Sequence, residues 1–338
     1  MIKEVPMKPK FLNDNPKIYL VAPSFGCVIE PYQTRLKASI ERLKKEGAII
    51  SEGENIWKAQ GKVSSNTPEL RAKEIHEAFL SDADAVLSVG GGEVMCEMLP
   101  YIDFELIKRN PKWFVGFSDN TNLTYTITTI CDIESIYGTN APSYYNLDYD
   151  ALDTWNMLHG KKEFKGYKKW QLENNSKNPL VTLNLRKRTI IKPYNYESKV
   201  TGRLIGGCLD CLANICGTKF DHTKEYINKH KYEGIIFFME CCDYTSISLR
   251  RALFQLKNAG WFDHVSMFLI GRSLNYYDKS FGVSMEESYL DMLKDFNKPI
   301  LFNIDLGHLP PSMPMRTGAL ATVEYNKDKK NIFITYND

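Results

Sequence analysis

Short apolar runs that alternate with helical stretches constrain this chain more than any other feature. Lys17–Pro23 (KIYLVAP), Ala85–Val89 (AVLSV) and Trp113–Phe117 (WFVGF) are rich in β-formers and read as strands. Between the first two, Pro31–Gly47 puts Leu36, Ile40 and Leu43 on one helical face, with Gly47 as its stop. Ala48–Ser51 reads as a short strand. Ser64–Leu80 holds a helix opened by Thr67 and Pro68. Glu93–Leu99 and Phe104–Asn110 read as short helices and Ile133–Tyr137 as a strand. Asn120–Ile130 reads as a helix although its threonines are weak helix formers. Strands alternating with helices predict a parallel sheet covered on both faces. In such sheets ligands collect at the carboxyl ends of the strands. Ser24, the triple glycine Gly90–Gly92 and Ser118 all fall at strand ends, so one sheet edge is expected to carry all three.

The pattern loosens after Asp148. Residues 166–197 are polar and turn-like and are expected to link an amino-terminal α/β domain (1–165) to a carboxyl-terminal domain (198–338). The lysines of Lys161–Lys169 (KKEFKGYKK) read as a solvated face. In the second half, Cys208–Cys216, Lys224–His230, Ser246–Ala259 and Met285–Leu293 read as helices. Gly234–Met239, His264–Gly271 and Pro299–Ile304 read as strands, and Ala319–Tyr325 with Asn331–Tyr336 as a β-hairpin.

The 338 residues suffice for two domains, each with its own core. With 43 basic and 41 acidic residues, the formal net charge of +2 gives no reason to invoke nucleic acid or an anionic membrane. The first residues, MIKEVPMKPKFLNDNPK, have no apolar core of a signal peptide, and no run of 18 apolar residues occurs. A soluble, cytoplasmic protein is expected. Eight cysteines do not make a disulfide scaffold at this length. A zinc site around Cys208, Cys211 and Cys216 would need a fourth ligand, and His222 is the near candidate. Because these cysteines lie at helical spacing among Leu and Ile, they read as small core residues, and neither a metal nor a cofactor is expected.

Candidate chemistry begins at Trp113–Thr121 (WFVGFSDNT). A strand, a sharp turn carrying Ser118 and a helix make a nucleophile elbow, with the Asp119 N–H able to face a developing oxyanion. The G-x-S-x-G pattern is incomplete, because Asn120 occupies the second glycine position. A competing reading makes Ser118 a helix cap with Asp119 in the first turn. The triple glycine is neither a G-x-G-x-x-G dinucleotide site nor a P-loop. It allows close backbone approach with N–H groups aimed at a ligand, or it is a tight turn. Glu240 ends one apolar strand and His308 follows another, ahead of a proline-rich turn. Each is weak evidence alone. Together, Ser118, Glu240 and His308 follow the nucleophile–acid–base order of α/β-hydrolases.

At this point the chain resembles the LD-carboxypeptidase family of serine peptidases, which also contains the microcin C self-immunity hydrolases. The resemblance rests on VAPS (Val21–Ser24), the Gly90–Gly91 turn, MLPYIDFELIKRNPKWFVGFSDNT (Met98–Thr121), IYGTNA (Ile136–Ala141), GRLIGGCLD (Gly202–Asp210), FFME (Phe237–Glu240) and NIDLGH (Asn303–His308). It implies an α/β amino-terminal domain and a smaller mixed α/β carboxyl-terminal domain. It also implies a Ser118–Glu240–His308 triad, oxyanion donors at the Gly91 and Asp119 amides, and a homodimer. The implied substrate is a murein tetrapeptide that loses its terminal D-Ala, or alternatively a peptidyl or aminoacyl nucleotide. Many family members carry R-G-G-Y-G where this chain has Val89–Glu93 (VGGGE), so its side-chain contacts to substrate are expected to differ.

Overall fold

The computed structural model describes residues 6–337. The chain forms two units. The first comprises Met1–Lys161, Asn175–Thr182 and Pro314–Gly318, and the second Lys162–Asn174, Leu183–Met313 and Ala319–Asp338. None of the described helices is long and apolar enough to cross a membrane.

In the first unit, β1 (Lys17–Val21), β2 (Ile49–Glu52), β3 (Ala85–Ser88), β4 (Trp113–Gly116) and β5 (Ser135–Tyr137) pair in parallel in the order β5-β4-β3-β1-β2. Every residue of β3 and β4 is buried, as expected for central strands covered on both faces. The expected helices are present as α1 (Tyr32–Lys45), α2 (Pro68–Leu80), α3 (Phe104–Arg109) and α4 (Thr121–Cys131). Helix α1 buries Leu36, Ile40 and Leu43, and Thr67 accepts the Leu70 N–H at the start of α2. The threonines of α4 are compatible with burial because their hydroxyls bond back to the chain. Thr126 donates to the Asn122 carbonyl and Thr129 to that of Tyr125. The stretch expected as a helix at Glu93–Leu99 is instead a 3-10 helix over Met95–Tyr101 with Pro100 inside it. A further helix, α5 (Tyr149–Leu158), forms where the sequence pattern seemed to loosen.

The second unit has an eight-stranded mixed sheet. Its strands are β6 (Glu163–Lys165), β9 (Lys192–Tyr194), β10 (Val200–Cys208), β11 (Ile235–Glu240), β12 (Val265–Arg272), β13 (Ile300–Gly307), β15 (Leu320–Asn326) and β16 (Asn331–Tyr336). Their order is β6-β16-β15-β10-β11-β12-β13-β9. The central four run parallel, and the outer strands are antiparallel. Helices α6 (Leu209–Ile215), α7 (Thr223–Lys229), α8 (Ser246–Asn258) and α9 (Met285–Leu293) lie where the periodicity predicts them. Capping boxes at Thr245/Ser248 and Ser284/Glu287 open the last two.

The segment 166–197 is more than a linker. It supplies the paired strands β7 (Lys169–Trp170) and β8 (Lys187–Arg188), and β9 closes one edge of the large sheet. Residues 175–182 belong to the first unit. There the Val181 carbonyl accepts the Tyr145 hydroxyl and the Pro179 carbonyl accepts Arg35. These strands are two or three residues long and largely exposed, so no hydrophobic period marks them. Likewise β14 (Met315–Thr317), late in the chain, pairs antiparallel with β5 at the edge of the first sheet. Arg316 on β14 makes a buried ion pair with Glu134 at 3.0 Å.

Candidate active site

Strand β4 delivers Ser118 to the carboxyl edge of the first sheet. At Gly116 a Cβ would lie 2.5 Å from that of Asn120, so only glycine lets the chain double back so tightly. Ser118 then adopts φ +64°, a conformation that costs a non-glycine residue on the order of 1 kcal/mol. Its N–H donates to the Tyr137 hydroxyl at 3.2 Å. The N-cap of α4 is Asn120, and Ser118 begins the 3-10 turn ahead of it. This is the strained geometry expected of an elbow.

Asn120 supplies a feature the motif pattern concealed. Its side chain is fully buried, and Nδ2 donates to the Gly90 and Phe117 carbonyls, both at 2.9 Å. It therefore ties the glycine loop after β3 to the turn that carries Ser118. Gly91 lies against that serine. A Cβ there would be 3.1 Å from Ser118 Cβ and 3.4 Å from its Oγ. The Gly91 N–H donates to no atom among the described residues.

Ser24, the glycine loop and Ser118 do share one edge. Asp119 is buried, and its Oδ2 accepts from Ser24 Oγ at 2.5 Å and from the Met95 N–H at 3.0 Å. Oδ1 accepts from Asn122 Nδ2 at 3.0 Å. The carboxylate thus binds three loops together beneath the turn. Arg71 reinforces them from α2, donating through Nη1 to the Pro23 and Val94 carbonyls.

The second unit holds Glu240 and His308. Glu240 ends β11 and is completely buried, and His308 directly follows β13. His308 Nδ1 lies 2.7 Å from Glu240 Oε2. Strand β12 separates the two strands, so the carboxylate must reach across it. Two glycines make that possible. A Cβ at Gly271 or at Gly307 would each lie 3.0 Å from Glu240 Cβ. The turn after His308 is held by Arg272, buried in a 2.7 Å ion pair with Asp305. Its guanidinium donates to the carbonyls of Asn303, Ile304, Leu309 and Pro311. Burial acts against an imidazolium at His308. The Glu240 carboxylate and Cys242 outweigh it, so the pKa is raised well above the ordinary histidine value.

Cys208, Cys211, Cys216 and His222, weighed above as a zinc set with the cysteines read instead as core residues, are not gathered as one group of ligands. Among the described residues, the one group of three or more metal-capable side chains joins Cys208 to Glu240 and His308, without Cys211, Cys216 or His222. Sequence reasoning named Ser118, Asp119, Gly91, Glu240 and His308. It missed Asn120, Arg71, Gly271 and the Arg272–Asp305 pair. Of these, Gly271 shows in the sequence only as the last residue of an apolar run and Asn120 only as a missing motif glycine.

Residues 18–138 match the family model for the LD-carboxypeptidase N-terminal domain, and residues 201–323 match that for the LD-carboxypeptidase C-terminal domain. Fold and matches together define a peptide hydrolase. The chain belongs to the LD-carboxypeptidase family. It is 26% identical to the microcin C7 self-immunity protein MccF of Escherichia coli over 328 residues, covering 90% of this chain and 88% of that protein. It is also 26% identical to a probable murein peptide carboxypeptidase of Bacillus subtilis over 322 residues, covering 94% and 91%. The solved structure of MccF in complex with aspartyl sulfamoyl adenosine superposes with a TM-score of 0.81 at 23% identity, covering 98% of this chain and 99% of that one.

Proposed function

We propose that this protein is a serine carboxypeptidase that cleaves the L,D-amide of a murein tetrapeptide and releases D-Ala. The observation that carries this reading is the positive φ of Ser118 on a strand–turn–helix in a chain of this family. A serine in the left-handed region at a strand–turn–helix junction has the backbone geometry of a nucleophile elbow.

In the proposed mechanism His308 takes the proton of Ser118 as the hydroxyl oxygen attacks the amide carbon. Glu240 fixes the imidazole tautomer through Nδ1 and stabilises the imidazolium that forms. The amides of Gly91 and Asp119 donate to the oxyanion, and the clamp made by Asn120 sets the first of them relative to Ser118. His308 returns the proton to the departing amine of D-Ala. Water, activated by the same imidazole, then hydrolyses the acyl-enzyme. The reaction draws on no metal or cofactor. The same proposal makes the protein a cytoplasmic homodimer acting in murein recycling.

A second reading is favoured by the similarity to MccF: an immunity-type amidase acting on a peptidyl or aminoacyl nucleotide. The VGGGE sequence at Val89–Glu93 departs from the R-G-G-Y-G of many family members, so side-chain contacts to substrate differ there under either reading. Mass spectrometry after incubation with murein tetrapeptide, and in parallel with an aminoacyl sulfamoyl nucleoside, separates the readings. Loss of D-Ala is the expected result. Cleavage of the nucleoside conjugate alone would replace the first reading by the second.

A further inference from the structure

The cysteines at the start of α6 take no part in the chemistry above. Cys208 and Glu240 are register partners on the neighbouring parallel strands β10 and β11, so their side chains leave the sheet side by side. The Cys208 sulfur, a Glu240 oxygen and a His308 nitrogen all lie within 4.8 Å of one another. Asp210 braces this corner. It accepts the Cys208 thiol at 3.3 Å and the amides of Cys242 and Asp243 at 2.9 and 3.1 Å.

We propose that Cys208, Glu240 and His308 form a binding site for a thiophilic divalent cation, Zn2+, lying wholly within the second unit. Thiolate, imidazole and carboxylate are the donors zinc prefers. Zinc bonds of about 2.0–2.3 Å in a tetrahedron set donor atoms roughly 3.3–3.6 Å apart. The Glu240–His308 contact must then open by roughly half an ångström from its 2.7 Å, and the sulfur close by about 1 Å at most. Water completes the fourth position.

Charge favours the arrangement. One thiolate and the Glu240 carboxylate neutralise Zn2+ where Glu240 is 0% and Cys208 2% exposed; the thiol's hydrogen bond to Asp210 is lost on binding, and Asp210 keeps the Cys242 and Asp243 amides that offset its own charge. On binding, the Cys208 thiol releases its proton to solvent, and so does the imidazole nitrogen that takes the metal if it carries one. Binding itself stands on this geometry alone. Its consequence rests on the proposed function: a His308 that ligates zinc cannot take the proton of Ser118, so zinc acts as a reversible inhibitor.

The test uses the full chain, stripped of metal. Zn2+ is titrated by calorimetry, and Cd2+ by the ultraviolet absorption of a cadmium–thiolate bond. One ion per chain is expected for the wild type and for Ser118→Ala. Cys208→Ser should lose the thiolate band, and Cys208→Ser, His308→Ala and the near-isosteric Glu240→Gln should each bind at least about tenfold more weakly. Melting curves without metal identify which variants fold, and any one of the three that folds suffices. Cys216→Ser should bind as the wild type does. Absence of binding, unchanged affinity in Cys208→Ser, or an equal loss in Cys216→Ser overturns the site. One-to-one binding without inhibition upholds the site and removes His308 from the proposed catalytic role.

Discussion

Replacing Asn120 by glycine would complete a G-x-S-x-G motif from Gly116 to position 120, and from the motif alone it looks like a repair. We expect damage. The backbone at Asn120 has φ −64° and ψ −9°, which any residue adopts, so glycine's freedom is not required. The substitution removes the two 2.9 Å hydrogen bonds to the Gly90 and Phe117 carbonyls. At about 1 kcal/mol each, with roughly 0.5–1 kcal/mol for glycine's greater freedom in the unfolded chain, the loss is about 3 kcal/mol. Untying the glycine loop from the serine turn should also lower kcat by about 10²–10³-fold, the size of one lost oxyanion donor, with KM little changed. Urea melts and turnover of murein tetrapeptide are the measurements, with Asn120→Ala separating the amide's contribution from glycine's. A glycine variant that melts and turns over like the wild type would refute the clamp. A less stable variant with intact kcat would refute its positioning role.

Other consequences are open to direct measurement. Ser118→Ala should lower turnover by several orders of magnitude, and unchanged turnover would end the serine mechanism. Glu240→Gln keeps the shape but not the charge beside His308, so kcat should fall by about 10⁴-fold with melting little altered. Gly271→Ala puts a Cβ 2.3 Å from the Leu306 carbonyl oxygen and 3.0 Å from Glu240 Cβ; it should destabilise the second unit and abolish activity, as calorimetry and assay would report. Glu74 is buried while accepting the amides of Ala22 and Asn55, and burial pushes its pKa up from 4.5 to about 7. The native carboxyl then binds its proton more tightly than the unfolded one does. Its contribution to stability is therefore fully present below pH 4.5 and is lost as pH rises to about 7, amounting to about 3 kcal/mol. Glu74→Gln should flatten that part of the pH–stability curve, and an unchanged slope would contradict the assignment.

Much of this architecture could be read from short apolar runs. WFVG, AVLS and IIFFME are buried at every position, and a run too short for a helix and flanked by turn residues leaves few alternatives. Residues just past such strands are candidates for chemistry on topological grounds, which is how Ser118, Glu240 and His308 became visible. What stayed hidden depends on strand order. That Glu240 passes over Gly271 to meet His308 follows only once β12 is known to lie between β11 and β13. The Arg272–Asp305 pair and the approach of Cys208 to Glu240 are likewise contacts between distant stretches, with no local signature. Asn120 misled for another reason. It is counted as a missing glycine, yet its amide makes contacts that a glycine cannot.

The placement of β14 has a consequence for how the protein is made. A ribosome has released more than three hundred residues before Met315–Thr317 emerges, and until then the outer edge of β5 has no partner and Glu134 lacks Arg316. Synthesis therefore cannot complete the first unit before the second is largely translated, contrary to the usual order of domain-wise folding. A fragment ending at Lys161 carries Ser118 and five parallel strands but has an open sheet edge at β5 and lacks the Arg316 partner of Glu134. Such a fragment is suited to aggregation, and separate expression of the two halves would require grafting both residues 175–182 and residues 314–318 back onto the first.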